Sequence, residues 1–512
     1  MTSPSAPRLH QGSRLAPPRA SAMVEALRGL GYSTATALAD IIDNSISAEA
    51  GSVAVTFAWD DGKSVVSVLD DGNGMDAPGL DAAMRLGERS PLDDRVTSDL
   101  GRFGLGLKTA SFSQCRRLTV ASTYGDQINC LRWDLDLLAS STDHGWHLLE
   151  GPADGSAHLL EPLRSVATGT LVLWERLDRI VTHGFTEQDF LDVIDEVERH
   201  LAMVFHRYLD AGDLHLTING RQVSAWDPFL RDHPATWSSP VERVRSAAGV
   251  LEVQCHVLPH KDHLTSKLEQ SAAGPHGWTA QQGFYVYRNR RLLLAGSWLG
   301  LGQGRSWTKE EAHRLARIRL DMPNSADADW KIDIRKSTAS PPVSLRPLLT
   351  RLAEETRARA RRVFAHRGHP VTTGGNRPVA RAWRTEHSAG GIRYRIDHEH
   401  PAVRGVLDDA GPLVARLKAM LRVIEETVPV QRIWLDTTEA TETPRTGFSG
   451  EPPSEVRAVL MVMYRNLVHR KGMSPILARE QLVHTEPFNN HPDLVAALPD
   501  DPLSGDEDGV RN

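Results

Sequence analysis

Asp40 and Asn44 stand four apart in Leu38-Ala39-Asp40-Ile41-Ile42-Asp43-Asn44-Ser45, so on a helix they project from one stripe. A carboxylate there can orient a water for attack on a phosphate, and a carboxamide oxygen suits Mg²⁺, a hard cation. A solvated stripe on an amphipathic helix shows the same pattern. Asp70 leads Asp70-Asp71-Gly72-Asn73-Gly74-Met75 at the exit of an apolar run. Gly72 and Gly74 let the backbone approach a ligand closely, and a carboxylate at a strand end can accept from an exocyclic amine. An ordinary Asp/Gly turn reads the same way; the later acidic ligands that a calcium loop needs are missing here. In Gly101-Arg102-Phe103-Gly104-Leu105-Gly106-Leu107-Lys108-Thr109, glycines ahead of a helix expose backbone N–H groups as an anion site, and Lys108 adds a point charge. The glycine spacing is wrong for a Walker A loop or a dinucleotide fingerprint. Finally, Thr170 in Thr168-Gly169-Thr170-Leu171-Val172 offers a hydroxyl at the start of a buried strand, which can bond a base edge directly or through water.

The elements that must position these residues follow from periodicity. Apolar residues at Met23, Val24, Leu27 and Leu30 make a helical stripe that Gly31 ends, and a second helix spans about 33–48. Alternation in 52–59 and 64–69 around Asp60-Asp61-Gly62-Lys63 predicts a β-hairpin. A Gly-rich turn opens a helix over 101–113, and further strands are expected at 117–122, 128–135 and 170–175. Together they predict an α+β layer with helices on one face of a largely antiparallel sheet.

These four segments, in this order, resemble the ATP-binding (Bergerat) fold of the GHKL superfamily, which includes gyrase-type topoisomerases, the ninety-kilodalton heat-shock chaperone, histidine kinases, MutL and MORC proteins. The resemblance covers about 20–178. Residues 40–45 match the N box, 70–74 the D-x-G-x-G box, 101–106 the second glycine box, and Gly169-Thr170 the last adenine-side motif. It implies ATP and Mg²⁺ as cofactors. Asn44 is then the metal ligand, Asp70 accepts from the adenine amine and Thr170 supports it. Gly72, Gly74 and Met75 line the base, and Gly101, Gly104, Leu105, Gly106, Leu107 and Lys108 close on the phosphates within a lid over 86–108. Asp40 takes the place where most members carry a glutamate, one methylene longer, which implies slow hydrolysis.

Further along, 283–293 reads as one strand, and its Gly283-Phe284-Tyr285-Val286-Tyr287-Arg288-Asn289-Arg290-Arg291-Leu292 is similar to the ribosomal-S5-like transducer of MORC and MutL proteins. Trp330-Lys331-Ile332-Asp333-Ile334-Arg335-Lys336-Ser337 resembles the transducer segment that reaches the γ-phosphate, with Lys336 the choice and Lys331 second. A surface salt-bridge pair is the plainer reading. The resemblance thus implies a slow ATP hydrolase that closes and forms a homodimer on ATP. As a MORC/MutL-like clamp it would act on DNA with partners from a defence or restriction system. A chaperone-like or regulatory protein-binding switch is the alternative. A histidine kinase would need a phosphoacceptor helix pair ahead of the ATP domain.

The chain has 512 residues and a net charge of −6, enough length for about three domains and no uniformly basic coat. Three cysteines, Cys115, Cys130 and Cys255, lie too far apart for a C-x-x-C zinc pair and suit a reducing compartment. No apolar run approaches the ~20 residues of a membrane span and no secretory h-region opens the chain, so a cytoplasmic protein is expected. The expected divisions are a tail at 1–20, the ATP-binding domain at 21–184, a transducer at 185–340, an arginine-rich helical connector at 341–400, a mainly helical C-terminal domain at 401–498 and an acidic tail at 499–512. The connector holds twelve arginines, no lysine and five acids, suited either to phosphate contacts or to packing and ion pairs. Thr308 and Glu311 are spaced as a capping box before a helix, and 433–435 reads as a strand. Asp397-His398-Glu399-His400 carries ligand-type side chains on what is read as a solvated strand end.

Overall fold

The hairpin expected from the Asp60–Lys63 spacing forms in the computed structural model, which describes residues 18–87, 106–246, 249–326, 329–332, 339–366, 380–388, 391–433 and 453–500. Strands β1 (Ser52–Ala58) and β2 (Val65–Asp70) pair antiparallel, Val55 opposite Val68. Val53, Val55, Phe57, Val66 and Val68 turn inward at the period of two that an extended chain imposes. The chain divides into two compact units, Met1–Pro370 and Val371–Asn512.

In the first unit, helices α1 (Ala20–Arg28), α2 (Thr34–Ser47), α3 (Ala77–Met84), α4 (Gly106–Phe112) and α5 (Leu135–Ser140) accompany strands β3 (Arg117–Tyr124), β4 (Gln127–Asp134), β5 (Leu149–Glu150) and β6 (Gly169–Glu175). Two more helices, α6 (Glu187–Val204) and α7 (His206–Ala211), lead into β7 (His215–Ile218) and β8 (Arg221–Gln222). The sheet runs β5-β4-β3-β6-β2-β1-β7-β8, antiparallel throughout except that β7 lies parallel to β1. Thr186 and Asp189 close a capping box at the head of α6, and Phe190, Val197 and Leu201 pack in the same core as α2 and β1. The boundary expected between 184 and 185 therefore falls inside this layer, which runs on through Val223.

The sheet is covered on both faces. Val172 and Trp174 of β6 join the helix side, whereas Leu171 and Leu173 pack under a 3₁₀ helix at Ala157–Ser165. A central strand apolar on both faces requires cover on both, and so the helices-on-one-face expectation is half the arrangement.

A second sheet in the same unit comprises β9 (Trp237–Ser238), β10 (Glu242–Ser246), β11 (Gly249–Val257), β12 (Gly283–Arg288), β13 (Arg291–Ser297) and β14 (Ala316–Met322). Its order is β10-β11-β14-β12-β13, with β9 on β11. The stretch expected as one strand across 283–293 is instead the β12–β13 hairpin. Asn289 and Arg290 both take positive φ (45° and 67°) at its turn, the primed geometry that fits strand twist, reached without the glycine that usually signals it. The capping-box pattern at Thr308 and Glu311 opens no α-helix, only a 3₁₀ turn at Glu311–His313. The Glu311 carboxylate is taken by Thr279 and Arg314. The arginine-rich stretch contributes a helix at Arg346–His366 whose Leu349, Leu352, Ala353 and Ala360 complete the second core, so its first half belongs to this unit.

The second unit holds a hairpin, Trp383–Ser388 with Gly391–Ile396, and helices at Pro401–Asp409, Val414–Glu426, Ser454–Arg465 and Pro475–Val483. Ile433, expected on a strand, lies in a helical turn, its amide bonded to the Pro429 carbonyl; 434–435 lie outside the described residues. His400 is buried at the head of a helix, and among the described residues no group of three or more His, Cys, Asp or Glu is placed to hold a metal. No described helix is long and apolar enough to cross a membrane.

Candidate nucleotide site

A Ser33–Thr36 capping box starts α2, and burial of Ala37, Leu38, Ile41 and Ile42 fixes its rotation on the sheet. That rotation sets the polar stripe. Asp40 is 6% exposed, and its Oδ2 accepts from the Tyr32 hydroxyl at 2.9 Å. Asn44, one turn on, is exposed, and its Nδ2 donates to the Asp40 carbonyl at 3.0 Å. The carboxamide oxygen is then the half of the group left to face a cation. Ser45, next along, donates its hydroxyl to Asp70 Oδ2 at 2.7 Å, which ties this helix to the end of β2.

Asp70 is buried and accepts two further bonds at Oδ1, from the Gly72 and Thr170 backbone N–H groups, each at 3.1 Å. Burial raises its pKa above the ordinary carboxylate value, and these three donors oppose the rise. The following turn is clamped between α2 and β3. A Cβ on Gly72 would lie 2.8 Å from the Ala48 carbonyl oxygen, and one on Gly74 (φ 67°) only 2.0 Å from that of Thr123. Both positions thus demand glycine. Met75 N–H donates to Ser122 Oγ at 2.8 Å, and Ser122 Oγ and Thr170 Oγ1 lie 2.9 Å apart across the β3–β6 pair. Asp70, Ser122, Thr170 and the glycine turn form one hydroxyl-lined polar corner at the strand ends.

The glycine segment meets the same helix. A Cβ on Gly106, the first residue of α4, would lie 3.8 Å from Asp40 Oδ2. Leu107 packs half-buried against the first core. Lys108, expected toward phosphates, is 3% exposed, and its Nζ donates to the Ala83 carbonyl at the end of α3 (2.8 Å). Burial pushes its pKa down to about 8. The bond to Ala83 ties α4 to α3. Gly101, Gly104 and Leu105, most of the lid over 86–108, and Lys336 lie outside the described residues. Lys331 is exposed.

Five contributors escaped the sequence reading. Tyr32, Ser45 and Ser122 are single hydroxyls whose partners lie 8, 25 and 47 or more residues away. Asp43 sat inside the quoted helix motif without an assigned role. The fifth, Arg291 of β13, reaches across from the second sheet. Its Nε is 3.1 Å from Asp43 Oδ1 and its Nη2 3.8 Å from Asp40 Oδ1.

One helix and three strand ends thus bring a paired carboxylate and carboxamide, a buried acceptor and a glycine-opened helix to one region. Residues 32–170, which span this corner from Tyr32 to Thr170, match the family model of histidine kinase-, DNA gyrase B-, and HSP90-like ATPases. This segment is similar to a GHKL-type ATP-binding domain. No curated protein matches the chain. For the GHKL domain, ATP is the implied ligand, usually with Mg²⁺. The donors present fit that cofactor: an exposed carboxamide oxygen for a hard cation, and a buried carboxylate acceptor for an amine.

Proposed function

We propose that the chain is a Mg²⁺-dependent ATP hydrolase that closes and forms a homodimer when ATP binds. In this reading Asp70 accepts from the adenine amine, with Thr170 and Ser122 completing the base edge and Gly72, Gly74 and Met75 its floor. Asn44 holds Mg²⁺. The helix opened by Gly106 receives the phosphates, together with Gly101, Gly104 and Leu105, and Asp40 orients the attacking water. Lys336, or Lys331 in its place, reaches the γ-phosphate. Lys108 supports the α4 start through Ala83 rather than by touching phosphate. The observation that carries this reading is the chain of contacts on α2: Gly106 beside Asp40, Asn44 one turn on, and Ser45 bonded to Asp70.

For the closed state we propose a MORC/MutL-like clamp on DNA in defence or restriction. Arg361 and Arg362 are exposed on the Arg346–His366 helix and suit phosphate contacts. A second reading, a regulatory switch acting on proteins, is favoured by their neighbour Arg357, which is buried between Trp298 and Trp307 at 4.8 Å from each ring. Phosphate release and cross-linked dimer yield, with and without DNA, in wild type and Asn44→Ala, test both. The clamp requires ATP-stimulated, salt-sensitive DNA retention that Asn44→Ala abolishes; DNA affinity indifferent to nucleotide rejects it. Asp40→Asn is expected to lower turnover about 100-fold or more while ATP still binds, and unchanged turnover removes Asp40 from the mechanism.

A further inference from the structure

Three charged side chains meet where the second sheet touches the ATP-site helix, and all are buried: Asp40 at 6% exposure, Asp43 at 1% and Arg291 at 4%. Arg291 uses its fork. Nε bonds Asp43, Nη2 faces Asp40, and Nη1 returns to the Leu292 carbonyl at 2.7 Å. Burying such a cluster costs desolvation that apolar packing avoids, so it is weak as a stabiliser and best understood through the geometry it fixes. The geometry here is specific. Tyr32, in the connector before α2, holds Oδ2 of Asp40, and Arg291, from a different sheet, faces Oδ1. A carboxylate with partners at both oxygens has little freedom to rotate.

We propose that Arg291 is a positioning residue for hydrolysis, an inference that rests on the ATPase reading above. It aims the Asp40 carboxylate at the attacking water and makes that aim depend on the β12–β13 hairpin staying docked on α2. Asp40 has one methylene fewer than the glutamate of most GHKL members, so its reach is set by what holds it. The hairpin divides the task. Arg290 anchors it through Asp213 (2.6 Å) and the Arg207 carbonyl (2.7 Å), while Arg291 alone of the pair engages α2. A lysine cannot replace this arrangement, because a single ammonium lacks the planar fork that serves two carboxylates at once. Movement of the second sheet therefore reaches the reacting water through one side chain.

The test compares wild type, Arg291→Gln, Arg291→Lys and the charge-balanced pair Asp43→Asn with Arg291→Gln, which spares the fold an unpaired buried carboxylate. Full-length protein is assayed for steady-state phosphate release and for affinity toward a fluorescent ribose-labelled ATP. The expected result is a fall in kcat of about 100-fold, the effect of misplacing a reacting group by roughly an ångström, with nucleotide affinity within threefold of wild type. Arg291→Lys is expected to recover only part of kcat. Unchanged kcat in Arg291→Gln and in the charge-balanced pair overturns the inference and leaves the ATPase reading intact. So does a parallel loss of affinity, melting temperature and kcat in both, which marks a scaffold role only. Wild-type protein that binds the nucleotide and releases no phosphate overturns the ATPase reading and this inference with it.

Discussion

Replacing Asp70 by Asn separates affinity from stability. Its two oxygens do different work: Oδ1 receives the Gly72 and Thr170 N–H groups, and Oδ2 receives the Ser45 hydroxyl. Asparagine keeps one acceptor, which two fixed backbone donors draw to the Oδ1 place. The amide nitrogen then sits at the Oδ2 place, where Ser45 can rotate to accept from it, whereas an adenine amine meets it donor to donor. A hydrogen bond to a charged group contributes about 1.5–3 kcal/mol, so ATP affinity should fall about ten- to hundredfold. Stability should move the other way. Burial raises the folded-state pKa of Asp70, so protonation favours the fold, and that contribution is lost as pH rises through the raised value. At neutral pH the apo variant should melt at or above the wild-type temperature, and the difference should shrink on acidification as the native carboxyl takes up its proton. Calorimetric titration with Mg·ATP and thermal melts between pH 5 and 8 measure both. Wild-type affinity in the variant, or an apo protein weakened by more than about 2 kcal/mol, refutes this reasoning.

Gly74→Ala sets a Cβ 2.0 Å from the Thr123 carbonyl oxygen at φ 67°; strain and overpacking together should cost about 2–5 kcal/mol in urea denaturation. Lys108→Met keeps the buried stem and removes the charge. Because burial lowers the Lys108 pKa to about 8, wild-type stability should rise with pH from about 8 toward the ordinary lysine value, and the variant should lose that rise when denaturation curves are compared. Arg357→Ala removes a buried guanidinium stacked on two tryptophans and should cost about 2–4 kcal/mol in stability without changing DNA affinity; a DNA-binding defect in a protein of normal stability contradicts the packing role.

The local chemistry of the site was legible because it depends on residue types at short spacing. Asp40 and Asn44 need only a helix to share a stripe, and the glycines after Asp70 are required by backbone contacts with Ala48 and Thr123 that no other residue tolerates. Long-range pairing left no such trace. Ser122 is one of several hydroxyls along β3, and its value comes from lying opposite Thr170 in the β3–β6 register. Arg291 meets Asp43 across 248 residues. The β12–β13 turn was hidden because Arg290 occupies a backbone region where a glycine would have announced it. Lys108 carries a related lesson: its position by a glycine-rich helix start suggests phosphate, and the bond its Nζ makes to the Ala83 carbonyl of α3 left no sign in the sequence. The parallel addition of β7 to β1, which carries the first layer past residue 184, likewise depends on two segments far apart in the chain.

The most direct measurement is a crystal structure of the full chain with Mg²⁺ and a non-hydrolysable ATP analogue. Adenine should bond Asp70, the metal should be held by the Asn44 carboxamide oxygen, and Asp40 should face a water in line with the γ-phosphate. A nucleotide bound elsewhere, or a base edge that leaves Asp70 untouched, contradicts the assignment of these residues to one triphosphate.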